Sequence, residues 1–192
     1  MKKSISYEEK LSELRRILLY SAIDEKSAKE VVSKLIVMSN ESRKKPIILE
    51  INSPGGNVTD GIAIMNTIQL VANAPIVTVI NGEACSMAGF ISIVGDKRLI
   101  TPNSYWMGHP ISDTVWGSPK TIKDRGLYLE RLEQNLHDIF KNKTKLTDKE
   151  FEQMLRGELW LNDEECLKKG IVDEIIPREY LTQITKFQEK RK

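Results

Sequence analysis

Two histidines, His109 and His137, are the only imidazoles in this chain of 192 residues. A general base of the commonest type must therefore come from one of them. His137 falls among charged residues of a helical stretch and reads as part of a solvated face. His109 lies between Gly108 and Pro110, outside any amphipathic stripe. Two further places break local rules. Asn52-Ser-Pro-Gly-Gly56 follows an apolar run directly, and its paired glycines admit unusual torsions that can turn backbone N–H groups outward. In Asn81-Gly-Glu-Ala-Cys-Ser-Met-Ala-Gly89 an apolar run gives way to a small-residue helix. A serine at such a junction, Ser86, has its own N–H and that of Met87 near the positive end of a helix dipole, where an oxyanion is stabilised.

Each feature has an ordinary alternative: a tight turn, an N-cap serine, a surface histidine. Together they supply a hydroxyl, a base to take its proton and N–H donors for the developing charge, which is what nucleophilic catalysis needs. Other chemistries lack their residues. Neither GxxxxGK[ST] nor GxGxxG is present, so a phosphate loop is not indicated. Ala84 and Ala88 stand where the Gly-x-Ser-x-Gly elbow needs glycines. Cys85 and Cys166 form no CxxC. Cys85 is a conceivable alternative nucleophile, but adjacent residues at a strand-to-helix turn point in different directions, so only one can face His109. Ser86 is the choice.

The elements that must position these residues follow from hydrophobic period. Ile17–Tyr20, Pro46–Ile51, Ile76–Ile80 and Lys97–Thr101 read as strands, with a last one over 171–176. From Ser27 to Ser42 the stripe Ala28, Val31, Val32, Leu35, Ile36 has helical spacing. Gly61 to Ala74 shows it again through Ile64, Ile68 and Val71, and Ser86 to Val94 forms a small-residue helix. Strand, helix, strand with near-continuous apolar strands indicates βαβ units and a buried parallel sheet. A longer helix carries Leu129, Leu132, Leu136 and Ile139/Phe140 to Lys143. Capping boxes at Thr147 and Asn162 open two more, with Gly170 placed to end the second. Catalytic residues at the ends of successive parallel strands converge at one sheet edge.

Composition agrees with an ordinary globular protein: 40% hydrophobic, 29% charged, formal net charge +2. No single-sign block calls for nucleic acid or an anionic membrane. The N-terminus has no apolar core of a signal peptide, and no stretch approaches the roughly 20 apolar residues of a membrane span. Two lone cysteines fit a reducing compartment, so a cytoplasmic location is expected. One α/β domain over 1–192 is expected, with a polar tail over 177–192.

The strings Ile51-Asn-Ser-Pro-Gly-Gly56, Gly82-x-Ala-x-Ser-Met-Ala-Gly89, Pro102-Asn-Ser104, Met107-x-His109 and Lys169-Gly-Ile-Val-Asp173 closely resemble the proteolytic subunits of the Clp protease family, in order and spacing from about Arg16 to Ile176. That resemblance implies a crotonase-like α/β fold of stacked βαβ units and a serine endopeptidase. Ser86 matches the nucleophile and His109 the base. Gly56 and Met87 match the oxyanion-hole donors, with Gly55 beside them. The helix from about Pro119 to Lys143 matches a protruding handle by which two rings interlock. The resemblance further implies two stacked heptameric rings around a chamber, an AAA+ Clp ATPase that unfolds and feeds protein substrates, and no metal or organic cofactor.

The chain departs from the family pattern in three places. The third triad position, usually aspartate, holds Glu158, with Asp163 as a nearby alternative. Pro110 replaces the usual glutamine after the histidine. The segment 1–15 does not match the family's axial-pore hairpin. An active peptidase is the leading expectation. The first alternative is an inactive ring subunit assembling with an active paralogue. Acyl-CoA chemistry, which the fold alone permits, is disfavoured by the Ser86/His109 pair. A signal-peptide-peptidase-like enzyme with a Ser-Lys dyad, which resembles this fold, is disfavoured because its usual membrane anchor is not visible.

Overall fold

The computed structural model of the chain describes residues 6–177. Four apolar runs lie side by side and parallel: β1 (Arg16–Leu19), β2 (Ile47–Ser53), β3 (Ile76–Cys85) and β4 (Lys97–Ile100). β7 (Glu174–Ile175) continues the row in the same direction. The βαβ reading is borne out. α2 (Glu25–Glu41) links β1 to β2, α3 (Val58–Asn66) links β2 to β3, and α4 (Met87–Ile93) links β3 to β4. Ile17, Leu19, Ile47, Leu49, Ile51, Ile76 and Ile80 are each at most 1% exposed and share one core with Ala28, Val31, Leu35 and Met38 of α2. The other sheet face holds a smaller cluster of Val79, Leu99 and Ile176, with Ile48 and Val77 against it. Beside that cluster runs a polar chain in which Arg16 pairs with Glu50, and Asn81 donates to Tyr20 Oη at 2.8 Å.

Some expected boundaries moved for identifiable reasons. The second helix starts earlier than its stripe suggests, because Asn57 caps it by accepting from the Asp60 N–H. Beyond Asn66 the winding loosens to a π turn over Thr67–Val71. There Thr67 Oγ1 donates back to the Ala63 carbonyl at 2.8 Å. Ile64 and Ile68 stay buried, but the loosened turn leaves Val71 half-exposed. The last strand is only two residues long. Ile171 and Val172 instead return their N–H groups to the Cys166 carbonyl and finish α7 (Asp163–Lys168).

Two strands lie where the sequence shows only loops. β5 (Tyr105–Gly108) pairs with the far half of β3, and β6 (Leu159–Asn162) runs antiparallel to β5. β3 therefore forks: Val77–Ile80 pair with β4, while Glu83–Cys85 pair with β5. The fork sits at Gly82, where φ is 117°, and a Cβ there would come within 2.6 Å of Asn52 Oδ1. Asn52 Oδ1 accepts from the Glu83 N–H and Ser104 Oγ from the Gly82 N–H, so these two side chains secure the bend.

The long helix is α5 (Pro119–Lys143), opened by Ser118 as N-cap and by Pro119 at its first position. Its buried residues, Leu132, Leu136 and Phe140, all lie in its C-terminal half, so its first three turns project. Phe140 anchors it edge-on to Phe90 at 4.7 Å and to Trp106 at 5.4 Å. α6 (Asp148–Arg156) folds back onto this end and covers His137, whose ring lies 4.1 Å from that of Phe151. His137 is thus half-buried rather than on a solvated face. In the Thr147 capping box, Glu150 also pairs with Lys169, which with the box hydrogen bonds holds its carboxyl down to about 2. Arg98 reaches the carbonyls of Lys143 and Gly170 at 2.6 and 2.8 Å and the Asp173 carboxylate, tying the handle's root to β4.

The segment before Arg16 contributes α1 (Tyr7–Glu13), a capped helix with no buried residue. Arg15 then enters the fold at φ 56° and is nearly buried, its guanidinium donating to the carbonyls of Met38, Ser42, Lys45 and Pro46. The polar tail expected over 177–192 lies, beyond Pro177, outside the described residues.

Candidate active site

Seven helices occur among the described residues, and six have an N-cap side chain that accepts a backbone N–H. Those caps are Ser6, Asp24, Asn57, Ser118, Thr147 and Asn162. Ser86, the N-cap of α4, is the exception, since its hydroxyl caps nothing. The ordinary reading of that serine fails here. Its backbone is also unusual, at φ 54° and ψ −124°, torsions that cost a non-glycine residue roughly 1–3 kcal/mol and persist only where surroundings enforce them. The Ser86 N–H donates to the Met107 carbonyl of β5 at 2.7 Å, and its carbonyl accepts from Phe90 at 3.3 Å. α4 itself is buried at every residue from Met87 to Ile93, with Gly89 against the Trp106 indole, so the turn cannot relax.

The glycine pair packs directly on this turn. A Cβ on Gly55, where φ is 90°, would lie 2.7 Å from Ser86 Cβ, 3.0 Å from Met87 N and 2.5 Å from the Cys85 carbonyl. Gly55 is held by hydrogen bonds on both sides. Its N–H donates to Ser53 Oγ and its carbonyl accepts from Ile23, while the Asn57 N–H donates to the Ile23 carbonyl. Among the described residues, the N–H groups of Gly56 and Met87 make no hydrogen bond within the chain. Two unpaired N–H groups therefore stand one residue on from Ser86 and from the Gly55 that packs on it, beside a hydroxyl that is itself unused.

Strand register delivers the remaining candidates. In the parallel β3–β5 pairing Cys85 stands opposite Met107, so Ser86 is level with Gly108, and His109 follows at once. In the antiparallel β5–β6 pairing Gly108 stands opposite Leu159, so His109 and Glu158 are the next pair beyond the ladder. Ser86, His109 and Glu158 are thus gathered at one end of three neighbouring strands. Among the described residues, no hydrogen bond yet joins Ser86 to His109 or His109 to Glu158. Glu158 Oε2 accepts instead from Trp160 Nε1 at 2.8 Å. Asp163 is excluded from this group. Asn162 pairs with Tyr105, four residues or roughly 13 Å from His109 at the strand rise, and Asp163 lies one residue further along. It sits in the first turn of α7, where a negative charge meets the helix dipole.

Cys85 is 3% exposed, and burial first, then Glu83 and Glu158, push its thiol up to about 12. That removes the alternative nucleophile, because the thiolate is the reactive form. In the folded protein at pH 8, Cys85 is expected to alkylate at least ~100-fold more slowly than an exposed cysteine. Mass spectrometry of iodoacetamide-treated native protein measures this, and rapid adduct formation at Cys85 would contradict the assignment. Cys166 is likewise buried, and burial raises its thiol to about 12.

The match to the Clp protease family model spans residues 1–179. The chain belongs to the Clp protease family. Among curated relatives it is similar to the ATP-dependent Clp protease proteolytic subunit 1 of Chlamydia muridarum (strain MoPn / Nigg). The two are 29% identical over 171 residues, covering 87% of this chain and 88% of that one. The parallel-dominated sheet with its projecting helix is the fold expected of a Clp protease. Among the described residues, no helix is long and apolar enough to cross a membrane, and no cluster of three or more His, Cys, Asp or Glu is placed to hold a metal ion.

Sequence reading overlooked three contributors to this Clp protease site. Asn52 and Ser104 secure the β3 fork, and Met107 supplies the carbonyl that holds the Ser86 turn. Trp160 is a fourth residue of interest, on a strand that no period in the sequence marked.

Proposed function

We propose that this chain is the serine endopeptidase subunit of a self-compartmentalised protease that cleaves unfolded polypeptides into short peptides. The observation carrying the proposal is Ser86 itself, a helix N-cap whose hydroxyl is unused, held in strained torsions beside two unpaired N–H donors.

Chemistry follows from those groups. Ser86 Oγ forms a bond to the peptide carbonyl carbon while its proton passes to His109. The carbonyl oxygen takes up the electron pair and meets the N–H groups of Gly56 and Met87, each contributing roughly 3 kcal/mol to the transition state. The C–N bond then breaks as His109 hands its proton to the departing amine. His109 next takes a proton from water as it attacks the acyl-enzyme carbonyl; the C–Oγ bond then breaks, the peptide acid leaves, and His109 returns that proton to Ser86 Oγ. Glu158 orients the imidazole and stabilises its cation. No metal or organic cofactor enters this sequence.

Assembly belongs to the same reading: stacked heptameric rings fed by an AAA+ Clp ATPase, acting in the cytoplasm. Its support is the bare first half of α5, where Ile122, Leu127 and Tyr128 are exposed beside Trp116 just upstream, an apolar surface suited to a partner handle. A second reading, an inactive ring subunit beside an active paralogue, is favoured by one observation, the missing hydrogen bonds from Ser86 to His109 and from His109 to Glu158. Native mass spectrometry combined with a fluorophosphonate probe separates the two. The expected result is a homo-oligomer labelled once per chain at Ser86. A homo-oligomer that stays unlabelled until a paralogue is added would replace the first reading with the second.

A further inference from the structure

Trp160 has no part in the mechanism above, yet the fold places it beside the carboxylate that mechanism uses. Trp160 is the second residue of β6, and Glu158 stands just before that strand, two residues away, close enough for their side chains to meet in a hydrogen bond. Met107 of β5 is its ladder partner, and His109 and Glu158 are the two residues that flank the end of this two-stranded ladder, one just past β5 and one just before β6. Trp160 is 47% exposed, so its indole is not explained as core. Its Nε1–H donates to Glu158 Oε2 at 2.8 Å, and among the described residues Glu158 makes no other hydrogen bond. Oε1 is left for a second donor.

A glutamate in this position has one more side-chain torsion than an aspartate, and an exposed glutamate ordinarily spreads over many rotamers. A fixed donor on the adjoining strand removes that freedom. We infer that Trp160 is a positioning residue for peptide cleavage: its indole N–H grips one oxygen of Glu158 and holds the carboxylate at the strand end next to His109, leaving the other oxygen to receive the imidazole N–H. The inference rests on the reading that Ser86, His109 and Glu158 act in series. It explains how a longer carboxylate can serve where the extra methylene would otherwise loosen it.

The test is steady-state hydrolysis of a fluorogenic peptide by the assembled protein and three variants: Trp160→Phe, Glu158→Gln and the double substitution. Trp160→Phe keeps an aromatic six-membered ring and deletes the N–H donor together with the five-membered ring that carries it. It is expected to lower kcat ~10-fold with KM unchanged, the size of one hydrogen bond to a charged group. Glu158→Gln is expected to lower kcat by ~10²-fold or more, and adding Trp160→Phe to it is expected to bring less than about a twofold further loss. Trp160→His, which returns an N–H to a smaller ring, is expected to recover part of the loss, and it keeps the test open should the Phe variant assemble poorly. Independent, multiplying losses, or an effect on KM alone, would overturn the inference while leaving the Ser86 mechanism standing. Full activity in Glu158→Gln would instead remove Glu158 from the mechanism, and the inference with it.

Discussion

Ser86→Ala is expected to lower peptide cleavage by roughly 10⁴- to 10⁶-fold, the range seen when the nucleophile of a serine peptidase is removed. Labelling by a fluorophosphonate is expected to vanish in the same protein. The size follows from covalent catalysis, because without the hydroxyl no acyl-enzyme forms and only the oxyanion donors and substrate binding remain. The neighbouring Cys85 cannot rescue the reaction, being 3% exposed with its thiol pushed up to about 12. The fold is expected to survive, since the Ser86 hydroxyl caps no helix and alanine keeps the same backbone hydrogen bonds to Met107 and Phe90. Circular dichroism and native mass checked beside the activity assay separate lost chemistry from lost structure. Retained turnover or labelling would place the nucleophile elsewhere.

Gly55→Ala is expected to be the most damaging change outside the nucleophile and base. An added Cβ would lie 2.5 Å from the Cys85 carbonyl, 2.7 Å from Ser86 Cβ and 3.0 Å from Met87 N, all closer than unbonded carbon tolerates. Alanine is also disfavoured at the φ of 90° that this residue adopts. Relief by moving the Gly55 loop is opposed by the hydrogen bonds it shares with Ile23 and Ser53, and relief by moving Ser86 is opposed by the buried helix behind it. Either movement displaces an oxyanion donor. A loss of ~10²- to 10³-fold in kcat is expected, comparable to deleting one such donor, with ~2 kcal/mol or more lost from stability through overpacking. Peptide kinetics and urea unfolding measure the two effects. A variant with unchanged kcat would show that the glycine pair is only a turn.

Much of the framework was legible from one-dimensional pattern. The β-branched runs at Pro46–Ile51 and Ile76–Ile80 marked β2 and the first half of β3, which continues to Cys85. The boxes at Thr147 and Asn162 opened helices as their residue types dictate, and Gly170 ended the last one at φ 66°. Those features are decided within a few residues, by torsional preference and by which side chain can reach a nearby N–H. β5 and β6 were not legible. Each is four residues long, and each is made a strand by partners far away in sequence rather than by its own composition. His109 consequently read as a loop residue, and Asp163 stayed open as a rival to Glu158.

From its residues alone this chain determined the βαβ alternation, the scarcity of imidazole that left His109 as the candidate base, and the motifs that carry the Clp protease resemblance. Tertiary structure decided the rest. Ser86 took its strained torsions because β5 and the Gly55 loop close on it from two sides. Glu158 rather than Asp163 came level with His109 because the β5–β6 register put Gly108 opposite Leu159. Side-chain direction alternates with every residue in a strand, so such placements depend on long-range register, and register is settled by the packing of the whole sheet.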